Sequence, residues 1–285
     1  MPLQTLRDFS RRTVPPLLLA LSIVLVGGST ALASGMGAHS SSASSPTRTS
    51  ASPKPTIVLV HGAFADASGW NGVTTRLQKR GYPVVAWSNP MRDLGSDGAA
   101  LATFVSTIAG PVVLVGHSYG GAVITQPTGS NVKALVYVTG YALAKDENVF
   151  AASALGGAHS ALGDHLQFRP ITGSGPENAD VYVDPAYFRQ LLCGDLGKPQ
   201  SAVLAASQRP AALAAFASPS AQPAWTTIPS YYLIATEDNA IPKEAQMAMA
   251  KRAGAETTSV AGSHFVMLSH PEAVADFVNK AATAH

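Results

Sequence analysis

Gly116-His117-Ser118-Tyr119-Gly120 sets one hydroxyl between two glycines, directly after the apolar run Val112-Val113-Leu114-Val115. A serine at that point can serve as a nucleophile if the chain reverses sharply at the end of a strand and lifts the side chain above the sheet. Such a turn holds the serine at positive φ. It also crowds the residues two before and two after it, so both must lack a Cβ. Gly121-Ala122-Val123-Ile124-Thr125 follows, in residues compatible with a helix. A bare G-x-S-x-G occurs in ordinary turns, because Gly and Ser are common turn residues; the strand–turn–helix setting gives the pattern its weight here. A helix starting behind the serine would also aim N–H groups and a positive dipole end at a developing oxyanion.

Serine alone is a poor nucleophile and needs a base within hydrogen-bond reach. From residue 54 onward the candidates are His61, His117, His159, His165, His264, His270 and His285. His117 adjoins Ser118 directly, which turns it away across the turn. His61 ends a predicted strand and reads as structural. His159 and His165 fall in an inserted region, where contact with a substrate competes with a solvated role. His270 precedes Pro271 and reads as a surface or capping residue. His264 follows the last predicted strand in the flexible stretch Gly262-Ser263, so it can reach over to the serine. An acid must then orient the imidazole and stabilise its charged form. Asp238 and Glu237 both follow the fifth predicted strand, and Asp146 follows the fourth; position alone leaves the three open, and a plain turn role for Asp238 stays open too.

These groups need a scaffold that brings distant segments to one rim. Short runs rich in Val, Ile and Tyr predict strands at Thr56–His61, Pro83–Trp87, Val112–Val115, Val132–Val138 and Tyr231–Ala235, and Glu256–Val260 reads as a last strand. Helical stretches lie between them. Ser68 to Arg80 is one, and Leu101, Phe104, Val105 and Ile108 fall on a single face of another. Pro242 to Gly254 and Pro271 to about Ala282 are two more. Continuous apolar strands joined through helices imply a mostly parallel sheet, an α/β fold. Residues 141–227 break the rhythm. They are rich in Ala, Gly, Pro and Ser, with helical pieces near Pro185–Cys193 and Ser201–Phe216. A structureless loop of that length is unusual, so the interval reads as a small helical cap over the carboxyl ends of the strands.

With those segments in place, the chain resembles the α/β-hydrolase fold superfamily, on the branch of small capped serine esterases that is similar to plant methylesterases and hydroxynitrile lyases. The resemblance covers residues ~55–283 and rests on Val60-His61-Gly62-Ala63-Phe64-Ala65-Asp66-Ala67-Ser68-Gly69-Trp70, the serine turn, and Gly262-Ser263-His264-Phe265-Val266-Met267-Leu268-Ser269-His270-Pro271. It implies catalytic Ser118, Asp238 and His264, in the chain order expected of this fold. It implies an oxyanion hole from the backbone N–H groups of Ala63 and Tyr119. Phe64, Trp70, Met91, Tyr187 and Phe188 are candidates to line the substrate pocket, with an ordinary core role open for each. The expected reaction is hydrolysis of a small-molecule carboxylic ester through an acyl-serine, with no metal and no organic cofactor. Lyases of this branch carry Thr and Lys where this chain has Gly62 and Phe265, which favours ester cleavage. A cofactor-free lyase, carbon–carbon hydrolase or haloperoxidase on the same scaffold stays open, as does a catalytically inactive binding protein.

Composition bounds the setting. Residues 1–33 read as a signal peptide: Arg7, Arg11 and Arg12 precede the apolar run Val14–Val26, and Ala31-Leu32-Ala33 offers a small-x-small cleavage site. A retained anchor is the alternative, and the Arg pair also suits twin-arginine export. The run is short of the roughly 20 residues that span a bilayer. Secretion, or retention in the periplasm or cell envelope, is therefore expected, with no stable membrane span after cleavage. Residues 34–55, rich in Ser, Thr, Ala and Pro, read as a disordered linker. The hydrolase core is assigned to 56–140 and 228–285, and the cap to 141–227. Net charge is +2, and no basic cluster lies in the folded part, so no nucleic-acid partner is expected. The single Cys193 reads as a small buried hydrophobe. The oligomeric state is left open.

Overall fold

Val, Leu and Ile strand residues that must be hidden on both faces can be satisfied only inside a sheet covered by helices. The computed structural model describes residues 54–284 except 174, 176 and 177. Its central sheet is built from β1 (Thr56–Val60), β2 (Val84–Trp87), β3 (Val112–His117), β4 (Val132–Val138), β8 (Ser230–Ala235) and β9 (Glu256–Val260). The order is β2-β1-β3-β4-β8-β9, and every neighbouring pair is parallel. All six residues of β3 and all six of β8 are buried, whereas the polar β9 closes one edge. Each fully buried Val, Leu or Ile contributes about 1.5–3 kcal/mol over its exposed state.

The helices outside the insertion are α1 (Asn71–Lys79), α2 (Leu94–Ser106), α3 (Tyr119–Thr125), α8 (Lys243–Arg252), α9 (Val266–Ser269) and α10 (Pro271–Thr283). Helix α1 packs against α10 and α2 against α3, so the strands are sheathed. Strand order reverses around β1, which has β2 on one side and β3 on the other. Parallel sheets bind ligands outside the carboxyl ends of the strands at such a reversal. Val60 at the end of β1 pairs with Gly116 of β3, which places His61-Gly62-Ala63 beside Ser118.

Between β4 and β8 the chain forms α4 (Val149–Ser153), β5 (Leu166–Pro170), β6 (Ala179–Val183), α5 (Pro185–Leu192), α6 (Lys198–Ala206), β7 (Ala211–Ala212) and α7 (Leu213–Ala217), with short 3-10 turns. The insertion is thus more than helical, because β5, β6 and β7 form an antiparallel sheet of their own. The predicted helical piece Ser201–Phe216 is also two helices. Pro210 cannot donate a helical N–H and pushes the residue before it toward extended backbone, so α6 ends at Ala206.

The signal-peptide reading of residues 1–33 lies outside the described residues, as does the linker up to residue 53. Of that linker, Pro55 is buried and Lys54 Nζ donates to the Arg80 carbonyl, so these two residues belong to the folded unit. Among the described residues no helix is long and apolar enough to cross a membrane.

Candidate active site

Ser118 sits between β3 and α3 at φ 51°, ψ −123°, a backbone state that L-residues adopt only when their surroundings enforce it. The enforcement is steric. A Cβ on Gly116 would fall 2.5 Å from the Gly120 carbonyl oxygen, and one on Gly120 would fall 2.2 Å from the Val60 carbonyl oxygen. Only a glycine pair lets the strand, the turn and β1 approach so closely. Tyr119 opens α3, so its N–H has no acceptor within the helix. Its phenol turns away and donates to Asp97 Oδ2 at 2.7 Å, leaving the backbone as the part of Tyr119 that faces the turn.

The loop after β1 is held by His61. Its Nδ1–H donates to the Gly62 carbonyl at 2.9 Å, and its Nε2 accepts the Asn89 N–H at 3.0 Å. One ring nitrogen donates and the other accepts, which requires the neutral tautomer. Burial lowers the His61 pKa to about 4. Phe64 N–H donates to the Arg209 carbonyl at 3.1 Å, and the preceding residue, Ala63, lines the same cavity as Ser118.

Asp238 and His264 meet at the ends of β8 and β9. His264 Nδ1 lies 2.8 Å from Asp238 Oδ2, and both side chains are buried. The carboxylate is fully occupied. Its Oδ1 accepts the N–H groups of Ala240 and Ile241 at 2.8 and 2.9 Å, and Oδ2 also accepts Gln246 Nε2 at 3.1 Å. The other two acids, Glu237 and Asp146, are exposed. With Nδ1–H directed at Asp238, Nε2 of His264 carries the lone pair. Ser118 Oγ makes no hydrogen bond in this conformation, but Ser118 and His264 line the same cavity. Catalytic hydrogen bonds are often long before a substrate arrives.

That cavity has a volume of about 240 Å³. Ala63, Phe64, Ser118 and His264 form its floor, and the insertion supplies the rest, notably Val149, Phe150, Leu162, Leu166 and Phe216. Phe216 stacks on Phe64 at 6.1 Å and meets Phe150 at 6.0 Å, giving one apolar aromatic wall. Of the five pocket candidates, Phe64 is there and four are not. Trp70 is buried beside His117, with ring centroids 6.3 Å apart. Met91 is buried, and its carbonyl accepts the Ala212 N–H. Phe188 is buried edge-on against Phe265. Tyr187 faces solvent, stacked on His165. Size and apolarity put these four in the core or at the surface, where no signal in a single sequence distinguishes them from a pocket wall.

Residues 57–277 match the profile of the Alpha/beta hydrolase family. The chain belongs to that family. Among curated relatives, Alpha/beta hydrolase nvfD of Aspergillus novofumigatus (strain IBT 16806) is 27% identical over 246 residues, covering 80% of this chain and 97% of its own. A pyrethroid hydrolase from Sphingobium faniae JZ-2 superposes with a TM-score of 0.66 at 22% identity, over 81% of this chain and 98% of its own. Polyneuridine aldehyde esterase does so with a TM-score of 0.66 at 20% identity, over 80% and 98%. These structures share the hydrolase fold.

Two residues of the hydrolase site escape a reading of the sequence. His117 lies against the His264 ring, with centroids 4.7 Å apart, and its Nε2–H donates to the His264 carbonyl at 2.9 Å. Burial and the neighbouring His264 hold its pKa well below the ordinary value, so it stays neutral. Thr139, at φ 40°, brings its hydroxyl within 3.2 Å of His264 Nδ1. Strand pairing accounts for Thr139: it directly follows β4, whose last residue Val138 pairs with Leu233 of β8, the strand that leads to Asp238. Nothing in the sequence links His117 to a residue 147 positions away. Among the described residues no cluster of His, Cys, Asp and Glu could hold a metal ion.

Proposed function

We propose that this protein is an esterase that cleaves small, neutral carboxylic esters through an acyl-Ser118 intermediate. The observation that carries the reading is the 2.8 Å contact between His264 Nδ1 and Asp238 Oδ2 at the edge of the apolar cavity onto which Ser118 opens. As Ser118 Oγ bonds to the ester carbonyl carbon, His264 Nε2 takes the hydroxyl proton. The N–H groups of Ala63 and Tyr119 receive the oxyanion, and Asp238 stabilises the imidazolium. The tetrahedral species collapses, the C–O bond to the alcohol breaks, and His264 returns its proton to the leaving oxygen. Water then repeats the sequence on the acyl-enzyme, releasing the acid and restoring Ser118.

The aromatic wall of Phe64, Phe150 and Phe216 favours apolar groups. Among the described residues no Lys, Arg, Asp or Glu lines the cavity, which favours neutral over charged substrates. Two relatives of the same fold are named as a hydrolase and an esterase, in keeping with this chemistry. The reading of residues 1–33 as a signal places the esterase outside the cytoplasm, a proposal that fractionation and N-terminal sequencing of the mature protein would check. The decisive measurement is hydrolysis of p-nitrophenyl esters of increasing acyl length by wild type and by Ser118→Ala. Turnover is expected in the first and background in the second; equal rates would dispose of the reading.

A further inference from the structure

The loops that carry Asp238 and His264 are tied to one short segment of the insertion. At the end of α5, the Gln190 carbonyl accepts Asn239 Nδ2 at 2.9 Å, next to Asp238. The Leu192 carbonyl accepts the Phe265 N–H at 2.8 Å, next to His264 on its other side. Asp195 completes the set. Its Oδ2 accepts the Ser263 N–H at 3.0 Å, and its Oδ1 accepts the Ser263 hydroxyl. Both neighbours of His264 in the chain, Ser263 and Phe265, are therefore bonded to residues 192–195.

The segment that does this is itself braced. Arg189 Nη2 donates to the Gly194 carbonyl at 2.6 Å and Nε to the Leu196 carbonyl at 3.1 Å, closing the turn around Asp195. Phe188 packs edge-on against Phe265. The Asp195 side chain is 16% exposed and also faces His270, whose Nδ1 is 3.9 Å away. Burial pushes the Asp195 pKa up, but hydrogen bonds from Ser263 and Ser269 outweigh it and leave the group below the usual carboxylate range. It is a charged acceptor with two donors on a single residue, and hydrogen bonds of that kind are roughly twice as strong as neutral ones.

We propose that Asp195 is a positioning residue for His264, clamping Ser263 so that the imidazole keeps Nδ1 on Asp238 and presents Nε2 to the cavity. The inference rests on the reading of His264 as the base. Asp195 touches no reacting atom; it acts by limiting how far the loop can wander. A base displaced by about 1 Å can cost on the order of 10²-fold in rate, which sets the scale.

The test compares wild type, Asp195→Ala, Asp195→Asn and Ser263→Ala on p-nitrophenyl butyrate, and follows the downfield Nδ1–H proton resonance of His264 by NMR, assigned by its loss in His264→Ala. Asp195→Ala should lower kcat by about ten- to a hundredfold while KM stays within about twofold, since the cavity wall is unchanged. Asp195→Asn, which keeps one acceptor oxygen, should fall between the two. The resonance should broaden in Asp195→Ala as the freed loop lets water reach the proton. If Asp195→Ala does not fold, Ser263→Ala carries the same test, with a smaller loss of kcat and the same broadening. A kcat within twofold of wild type, a loss confined to KM, or an unchanged resonance would overturn the proposal. The NMR measurement needs no substrate, so it still reads the clamp if wild type proves inactive on esters, which would count against the proposed function alone.

Discussion

Every residue of β3, from Val112 to His117, is buried, whereas none of the five residues of β5 in the insertion is. The two regions also treat glycine differently. In the core, a Cβ on Gly116, Gly120 or Gly121 would sit within 2.7 Å of backbone. In the insertion, Gly157, Gly163 and Gly173 have nothing among the described residues within 4 Å of that position, and the tighter Gly156 would meet the Glu244 carbonyl only at 3.0 Å. The core fixes where Ser118 and the Asp238–His264 pair stand, and around the serine its glycines leave no room for a Cβ. The insertion supplies most of the cavity wall from side chains that could be exchanged. In this reading, chemistry belongs to the sheet, braced at the His264 loop by residues 190–195, and selectivity to the cavity wall that the rest of the insertion supplies.

The sharpest way to break that division is to remove the hydroxyl. Ser118→Ala should lower kcat on p-nitrophenyl esters by about 10⁴- to 10⁶-fold without lowering the thermal midpoint. Gly120→Ala comes next: its new methyl would strike the Val60 carbonyl, and urea unfolding should show a loss of about 3 kcal/mol or more. A fully stable variant would mean that the turn is not sterically locked.

Acid should expose the core in a similar way. His61 has a folded-state pKa of about 4 against about 6.5 when unfolded, so the unfolded chain binds the extra proton first. The stability conferred by keeping His61 neutral is present above about pH 6.5 and is lost as pH falls towards 4. At most about 3 kcal/mol is involved, readable from denaturant unfolding across that range. A flat stability profile between pH 6.5 and 4 would contradict the buried, neutral ring.

Substitutions in the cavity wall that the insertion supplies should act on preference. Phe216→Ala opens the aromatic wall and should shift KM for short against long acyl esters by about tenfold, with kcat on the best ester little changed. The smallest effect belongs to Gly163→Ala, which should alter stability by less than about 0.5 kcal/mol. If Gly163→Ala proved as damaging as Gly120→Ala, the contrast between the two regions would fail.

What could be read from sequence follows the same line. The strand–turn–helix around Ser118 was legible because every constraint on it is local: the apolar run, the glycine spacing, the helix start. The four inner strands β1, β3, β4 and β8 were legible because strands buried on both faces have little choice but Val, Ile, Leu and Tyr. The edge strands β2 and β9 are only partly covered, and β9 had only its β-branched residues to mark it. Strands β5 and β6 were not legible. Leu166-Gln167-Phe168-Arg169-Pro170 does alternate, but its alternation is short and mixed with charge, and the residues that cover it come from elsewhere in the chain. The pocket wall was missed for a related reason. Phe216 and Leu166 acquire their positions from the packing of the insertion, and aromatic residues such as Trp70 and Phe188 look the same in a sequence whether they face a ligand or the core. His117 and Asp195 act on the His264 loop across long separations, which no local pattern encodes.

The bond from Phe64 N–H to the Arg209 carbonyl has a consequence for traffic. Together with Ala212 to Met91 and Asn239 to Gln190, it stitches the roof of the cavity to its floor at three separated points. Swinging the roof aside like a hinged door would tear all three stitches and drag the backbone beside Ala63 out of place. The rim carries no such stitch at the exposed Phe150 and His159, whose side chains line the cavity and could turn without disturbing the frame.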